Sequence, residues 1–278
     1  MYDSALVKNN LRLSTAIESI KYKYDLRKDD PTYFNADGLI VFTGAQGSGK
    51  TLSAVKYVCE LMEYYPNAKL VTNILINDYP IVSLDDFIRD FYTIETDIHL
   101  SDLSEYAQYK IIQDYIYLNR VFPFKNNDDL LRFHNGSEGV IYLIDEIQLY
   151  FNSLESKNVS MELMTEISQQ RKQRKHIVCT SQVFGRLAKP LREQFNTVVQ
   201  CRNYMNLLQV NFFIKQEDIE NTDDMKPKGN ISQRQIFFHS KHDYMNYDTY
   251  YKINNTKFAD IEKGNTEIYD RYTINLGE

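Results

Sequence analysis

Gly44-Ala45-Gln46-Gly47-Ser48-Gly49-Lys50-Thr51 matches the pattern GxxxxGK[ST] at every fixed position. Its glycines let the chain curl so that successive backbone N–H groups point at one anion. Lys50 is placed to reach β- and γ-phosphate oxygens, and the Thr51 hydroxyl to meet Mg²⁺. A helix that starts here, with Leu52 in its first turn, aims its positive end at the same phosphates. Gly44 through Leu52 is therefore the expected phosphate site of a nucleotide, with Lys50 facing solvent.

A second constellation supplies carboxylates. Val140-Ile-Tyr-Leu-Ile144 is an unbroken apolar run that ends in Asp145-Glu146. A buried strand can deliver Asp145 to the Mg²⁺ shell beside Thr51 and leave Glu146 to polarise an attacking water. An acid at a strand end is common by itself; about 100 residues after a complete phosphate loop it implies ATP hydrolysis. Cys179-Thr-Ser-Gln182 ends another apolar run, where Gln182 can touch both a γ-phosphate and the lytic water; the plain reading is a polar cap on a strand. Between Arg171 and Arg202 lie eight basic residues (Arg171, Lys172, Arg174, Lys175, Arg186, Lys189, Arg192, Arg202) and one acid, Glu193, in a chain of net charge −6. This excess reads as a solvated face, as arginine fingers reaching a neighbouring subunit (Arg174 or Arg171), or as a grip on DNA phosphates (Arg186, Lys189 and Arg192).

These groups need a scaffold that brings strand ends together. Gly38–Thr43 and Val140–Ile144 read as buried parallel strands, as do Ala68–Ile74, His176–Thr180 and Thr197–Cys201. Residues 50–64 show helical spacing (Leu52, Val55, Val58, Cys59, Met62) and stop before Pro66. Further helices are expected over 8–24, 84–92, 102–120 and 161–173, the last capped by Ser160. Gln216–Ile231 reads as a linker or loop, and Gln235–Phe238 and Tyr247–Ile253 as short β segments. The expected division is an N-terminal helical segment (1–37), an ATPase domain (38–215, with an insertion near 83–134), and a linker with a small β-rich extension (216–278).

The bulk composition, 43% hydrophobic and 25% charged over 278 residues, is that of an ordinary soluble protein. No apolar run reaches the roughly 18–20 residues of a membrane span, and the first thirty residues lack a signal-peptide core, so the expectation is a cytoplasmic protein. Cys59, Cys179 and Cys201 stand singly in apolar stretches, without zinc spacing, and read as reduced core residues.

The order of phosphate loop, Asp-Glu strand, Arg-bearing helix end and Gln-ended strand resembles the FtsK–HerA branch of additional-strand P-loop ATPases. Ile144-Asp-Glu-Ile-Gln148, Phe151-Asn-Ser153, Gln170-Arg-Lys-Gln-Arg174 and Thr180-Ser-Gln182 resemble zonula occludens toxin-like phage ATPases and the DNA-packaging ATPases of small tailed phages. The resemblance spans roughly residues 38–202. It implies a RecA-like, mostly parallel sheet flanked by helices, and a homo-oligomeric ring, pentamer or hexamer, that moves double-stranded DNA. A phage portal or prohead is the implied partner, in the cytoplasm of an infected bacterial host. It also implies Lys50 and Thr51 on phosphates and Mg²⁺, Asp145 on the metal, Glu146 as base, Gln182 as sensor and Arg174 or Arg171 in trans. Without a membrane segment, packaging is favoured over filamentous-phage extrusion; a small-molecule kinase with 83–134 as its lid is a further alternative. Lys50→Ala is expected to weaken nucleotide binding and abolish hydrolysis without unfolding the chain, checked by nucleotide titration beside circular dichroism.

Overall fold

The computed structural model describes residues 21, 33–36, 38–82, 84–92, 100–151, 161–219, 229–247 and 274–275. The helix expected over 8–24, the Ser160 cap and the segment Tyr247–Ile253 lie, apart from Lys21 and Tyr247, outside the described residues. Strands form at Gly38–Thr43 (β1), Lys69–Thr72 (β2), Val121–Pro123 (β3), Phe133–His134 (β4), Val140–Ile144 (β5), Lys175–Ser181 (β6), Phe195–Tyr204 (β7), Leu208–Ile219 (β8) and Gly229–Phe238 (β9). The longer helices are Lys50–Tyr64 (α1), Leu84–Tyr92 (α2), Glu105–Leu118 (α3) and Met161–Gln169 (α5); Asp129–Arg132 (α4), Lys189–Arg192 (α6) and Lys241–Met245 (α7) are short.

Eight strands make one sheet in the order β3-β2-β5-β6-β1-β7-β8-β9. From β3 to β7 every pairing is parallel; β8 and β9 return antiparallel. Parallel strands need crossovers that cover both faces, and the burial follows that demand. Leu39, Val41, Tyr142, Ile144 and Ile177 face a core closed by α2, α3 and α5. Phe42, Ile141, Leu143 and Val178 face the opposite core, closed by α1. This is an α/β three-layer fold with a mostly parallel sheet, in which β6 is interposed between the strand that feeds the phosphate loop and the strand that ends at Asp145.

Two segments differ from their sequence reading. Residues 83–134, read as an insertion, form the expected helices as α2 and α3, but they also supply the edge strand β3, and Phe87, Ile88, Ile112, Tyr115 and Ile116 sit in the main core. Gln216–Ile231, read as a linker or loop, is strand at both ends, since β8 runs to Ile219 and β9 starts at Gly229. Among the described residues no helix is long and apolar enough to cross a membrane.

Lys175, counted in the basic excess, is inside the protein. Its Nζ lies 2.5 Å from Glu166 Oε1 and donates to the Leu130 carbonyl at 2.7 Å, tying α5 and α4 to β6. Burial pulls its ammonium below the ordinary lysine value, against the pull of Glu166. Lys175→Ala leaves Glu166 without that partner, and is expected to cost about 3–5 kcal/mol in denaturant unfolding.

Candidate active site

The phosphate loop leaves β1 at its C-terminal end and enters α1 through Gly49, whose φ of 78° is left-handed. A side chain at Gly49 meets a second obstacle: an added Cβ lies 2.1 Å from Gln209 Oε1 on β8. Glycine is required there on both counts. Ala45, Gln46 and Gly47 are exposed at the loop's crown, and the Ser48 N–H closes the turn onto the Ala45 carbonyl at 3.1 Å. The expectation that Lys50 faces solvent is corrected: it is 7% exposed and its Nζ donates to the Ala45 carbonyl at 3.1 Å. A phosphate must draw the ammonium from that carbonyl.

Asp145 and Glu146 arrive at the same edge on β5. Asp145 Oδ1 accepts from the Thr51 hydroxyl at 2.9 Å and from the Thr180 hydroxyl at 2.6 Å. Asn73, just beyond β2, grips the Asp145 backbone: its Oδ1 accepts the Asp145 N–H at 2.8 Å and its Nδ2 donates to the Asp145 carbonyl at 3.0 Å. Glu146 turns away at once, with φ of 54°, a conformation that costs about 1–2 kcal/mol. Its N–H is held by Thr180 Oγ1 at 3.0 Å. Gln182 Nε2 donates to Glu146 Oε1 at 3.0 Å, and Gln148 donates to Oε2. Lys50, Thr51, Asp145, Glu146 and Gln182 thus gather at one sheet edge.

A hydroxyl and a buried carboxylate oxygen side by side suit a hard dication that takes oxygen ligands and keeps several waters. Among the described residues no group of three or more His, Cys, Asp or Glu could hold a metal. A nucleotide-borne Mg²⁺ needs only one or two carboxylates besides phosphate oxygens, so Thr51 and Asp145 fit that ion.

The arginines lie elsewhere. Arg174 precedes β6, at the sheet edge opposite the phosphate loop, about 20 Å away at roughly 3.3 Å per strand residue. Its Nη1 donates to the Phe34 carbonyl at 3.0 Å and its guanidinium stacks 4.1 Å over Tyr33. Arg171 is exposed in the same turn. Arg186 and Lys189 are exposed on the β6–β7 crossover, but Arg192 is buried. The grouping of Arg192 with them as a DNA-facing cation is corrected, because a buried guanidinium presents nothing to a phosphate backbone.

Sequence reasoning missed Asn73, the double role of Thr180, Gln148 and the β8 brace. Gln209 Nε2 donates to the Ser48 carbonyl at 3.0 Å, and Asn203 Nδ2 to the Gly47 carbonyl at 3.2 Å. The only signal for Asn73 and Gln148 is an amide beside a strand or an acid, which many loops share.

No protein-family model matches the chain, and the curated proteins searched contain no match. Solved structures give low-identity likenesses. The N-terminal domain of zonular occludens toxin from Neisseria meningitidis is 19% identical over 77% of this chain and 100% of that one, TM-score 0.45. B204, the DNA-packaging ATPase from Sulfolobus turreted icosahedral virus, is 13% identical over 72% of this chain and 100% of that one, TM-score 0.41. The chain's own strand order and helices make the fold α/β, with a mostly parallel sheet flanked by helices.

Burial raises the Asp145 carboxyl above its ordinary value, against the Thr180 and Thr51 hydrogen bonds and with Glu146 adding to the rise. A folded-state carboxyl raised in this way favours folding while protonated and loses that contribution as pH climbs through its folded value. The ionised Asp145 therefore destabilises the metal-free protein at neutral pH. Asp145→Asn is expected to raise the melting temperature without Mg²⁺ at pH 7, to show little gain at pH 3, and to abolish any Mg²⁺-dependent stabilisation by nucleotide. Thermal scans at the two pH values, with and without Mg²⁺ and nucleotide, check this.

Proposed function

We propose that the chain is an ATP-hydrolysing subunit of a ring motor that translocates double-stranded DNA, in the manner of a phage genome-packaging ATPase. The observation that carries the hydrolytic reading is the convergence of Lys50, Thr51, Asp145, Glu146 and Gln182 at one sheet edge. The loop N–H groups and Lys50 hold the triphosphate. Thr51, backed by Asp145, would hold Mg²⁺, which when bound neutralises charge on the β- and γ-phosphates. Glu146 accepts the proton of the water that attacks the γ-phosphate, and Gln182, already hydrogen-bonded to Glu146, positions that water. Their contact gives Gln182 a way to register whether a γ-phosphate is present.

The motor reading draws support from the sequence resemblance and from the exposed Arg186 and Lys189, which suit a sequence-independent grip on phosphates. A cation from a neighbouring copy completes the site. Arg174, engaged by its own chain at Phe34 and Tyr33, and Arg171, exposed in the same turn, are the candidates for that role.

Phosphate release, measured across protein concentrations with and without linear double-stranded DNA, tests the proposal. Turnover per subunit is expected to rise with concentration and again with DNA, and Glu146→Gln to bind ATP while losing about 10²–10⁴-fold in rate. Turnover indifferent to both concentration and DNA would sink the motor and leave a simple hydrolase; no hydrolysis by the unaltered chain would sink both.

A further inference from the structure

Beside the phosphate loop the protein opens a cleft of about 460 Å³. One wall is the loop and the start of α1, from Gly47 to Leu52. The other comes from the C-terminal part of the chain: Asn203 and Asn206 at the β7–β8 turn, with His239, Tyr244 and Tyr247. Phosphates bound by the loop occupy only the first wall. The second is aromatic and amide in character, suited to a flat heteroaromatic ring and a sugar rather than to more phosphate.

The second wall is built to hold its shape. Gln209 spends both amide hydrogens on the Ser48 carbonyl and on Asn211 Oδ1, and its Oε1 lies 3.3 Å from His239 Nε2. The other imidazole nitrogen meets the Tyr244 hydroxyl, which donates to the Asn206 carbonyl at 2.9 Å. The two rings stand edge to face, 5.4 Å apart at 73°. Tyr244 is thereby pinned at its hydroxyl while half its surface stays exposed. Helix α7, which carries it, is fixed by the reciprocal Ser240–Asp243 cap and by the 3.0 Å Lys56–Asp243 ion pair to α1. Asn203 adds an unmet demand. Its Nδ2 is used by the Gly47 carbonyl and Asn206 Oδ1, whereas its buried Oδ1 has no partner among the described residues. A buried acceptor without a donor is costly, and a ribose hydroxyl or an exocyclic amine supplies one.

We infer that this cleft is the nucleoside subsite, in which Tyr244 provides the stacking face for the base and Asn203 accepts a hydrogen bond from the nucleoside. The inference rests on the phosphate-loop reading and adds to it a residue that discriminates nucleotide from bare polyphosphate. It also makes the C-terminal segment part of the substrate site, since His239 links Tyr244 through Gln209 to Ser48 of the loop.

Calorimetric titration of the full chain with Mg²⁺-ATP and, separately, with Mg²⁺-tripolyphosphate tests it. Tyr244→Ala is expected to weaken ATP binding on the order of tenfold or more and to leave tripolyphosphate binding unchanged, while Tyr244→Phe keeps most of the ATP affinity. Equal losses for both ligands would assign Tyr244 to propping the loop and overturn the inference, as would unchanged ATP affinity in Tyr244→Ala. If the unaltered chain binds neither ligand, the phosphate-loop reading itself fails and this inference falls with it.

Discussion

Asp145 follows a strand of five fully buried residues, and burial makes its charge expensive unless hydrogen-bond donors stand against it. Two do, and both address the same oxygen. Thr51 comes from the first turn after the phosphate loop, and Thr180 from the end of β6. Meeting that one requirement fixes the axial alignment of β5, β6 and α1 at the edge that carries the phosphate loop. Ile144 pairs with Cys179 and Phe42 with Thr180, so the carboxylate, the threonine and the loop emerge at one level. The Thr180 hydroxyl also accepts the Glu146 N–H, so the same atom that solvates Asp145 holds the left-handed turn that aims Glu146.

The other side of the loop depends on a buried amide ladder. Asn211 Oδ1 accepts from Ser53 and Gln209, while its Nδ2 donates to Gln235 on β9. Gln209 and Asn211 are fully buried, and each unmet amide group there would cost about 1–3 kcal/mol. The ladder is satisfied only when β8 lies against α1 and the loop. The antiparallel hairpin is thus coupled to the geometry of the phosphate site, although it shares no phosphate-binding motif with it.

These two halves explain what the sequence could and could not convey. The parallel strands were readable because strands covered on both faces demand continuous apolar runs, and Val140–Ile144 or His176–Thr180 can be little else. The phosphate loop was readable because its chemistry constrains residue type at fixed spacing. Strand β8 was missed because its buried positions include Gln209 and Asn211, which break the apolar pattern for reasons visible only once Ser48 and Ser53 are beside them. Strand β3 was missed because it is three residues long and ends in Pro123, which only a sheet edge tolerates. The basic excess misled for a different reason. Counting charges along the chain cannot tell the buried Lys175, paired with Glu166, or the buried Arg192 from the exposed Arg186 and Lys189.

Strand order also sets a length scale. With β6 interposed, β5 stands two strand spacings from β1, roughly 9.5 Å across the sheet. That gap is wide enough for a tetrahedral group on the loop side and one solvent molecule in line with it on the glutamate side. Were β5 the direct neighbour of β1, the gap would halve, and a carboxylate at the Glu146 position would crowd any anion held by the loop. The interposed strand works as a spacer gauge, and any slip of β5 along β6 would shift both acids relative to the loop by a full residue step.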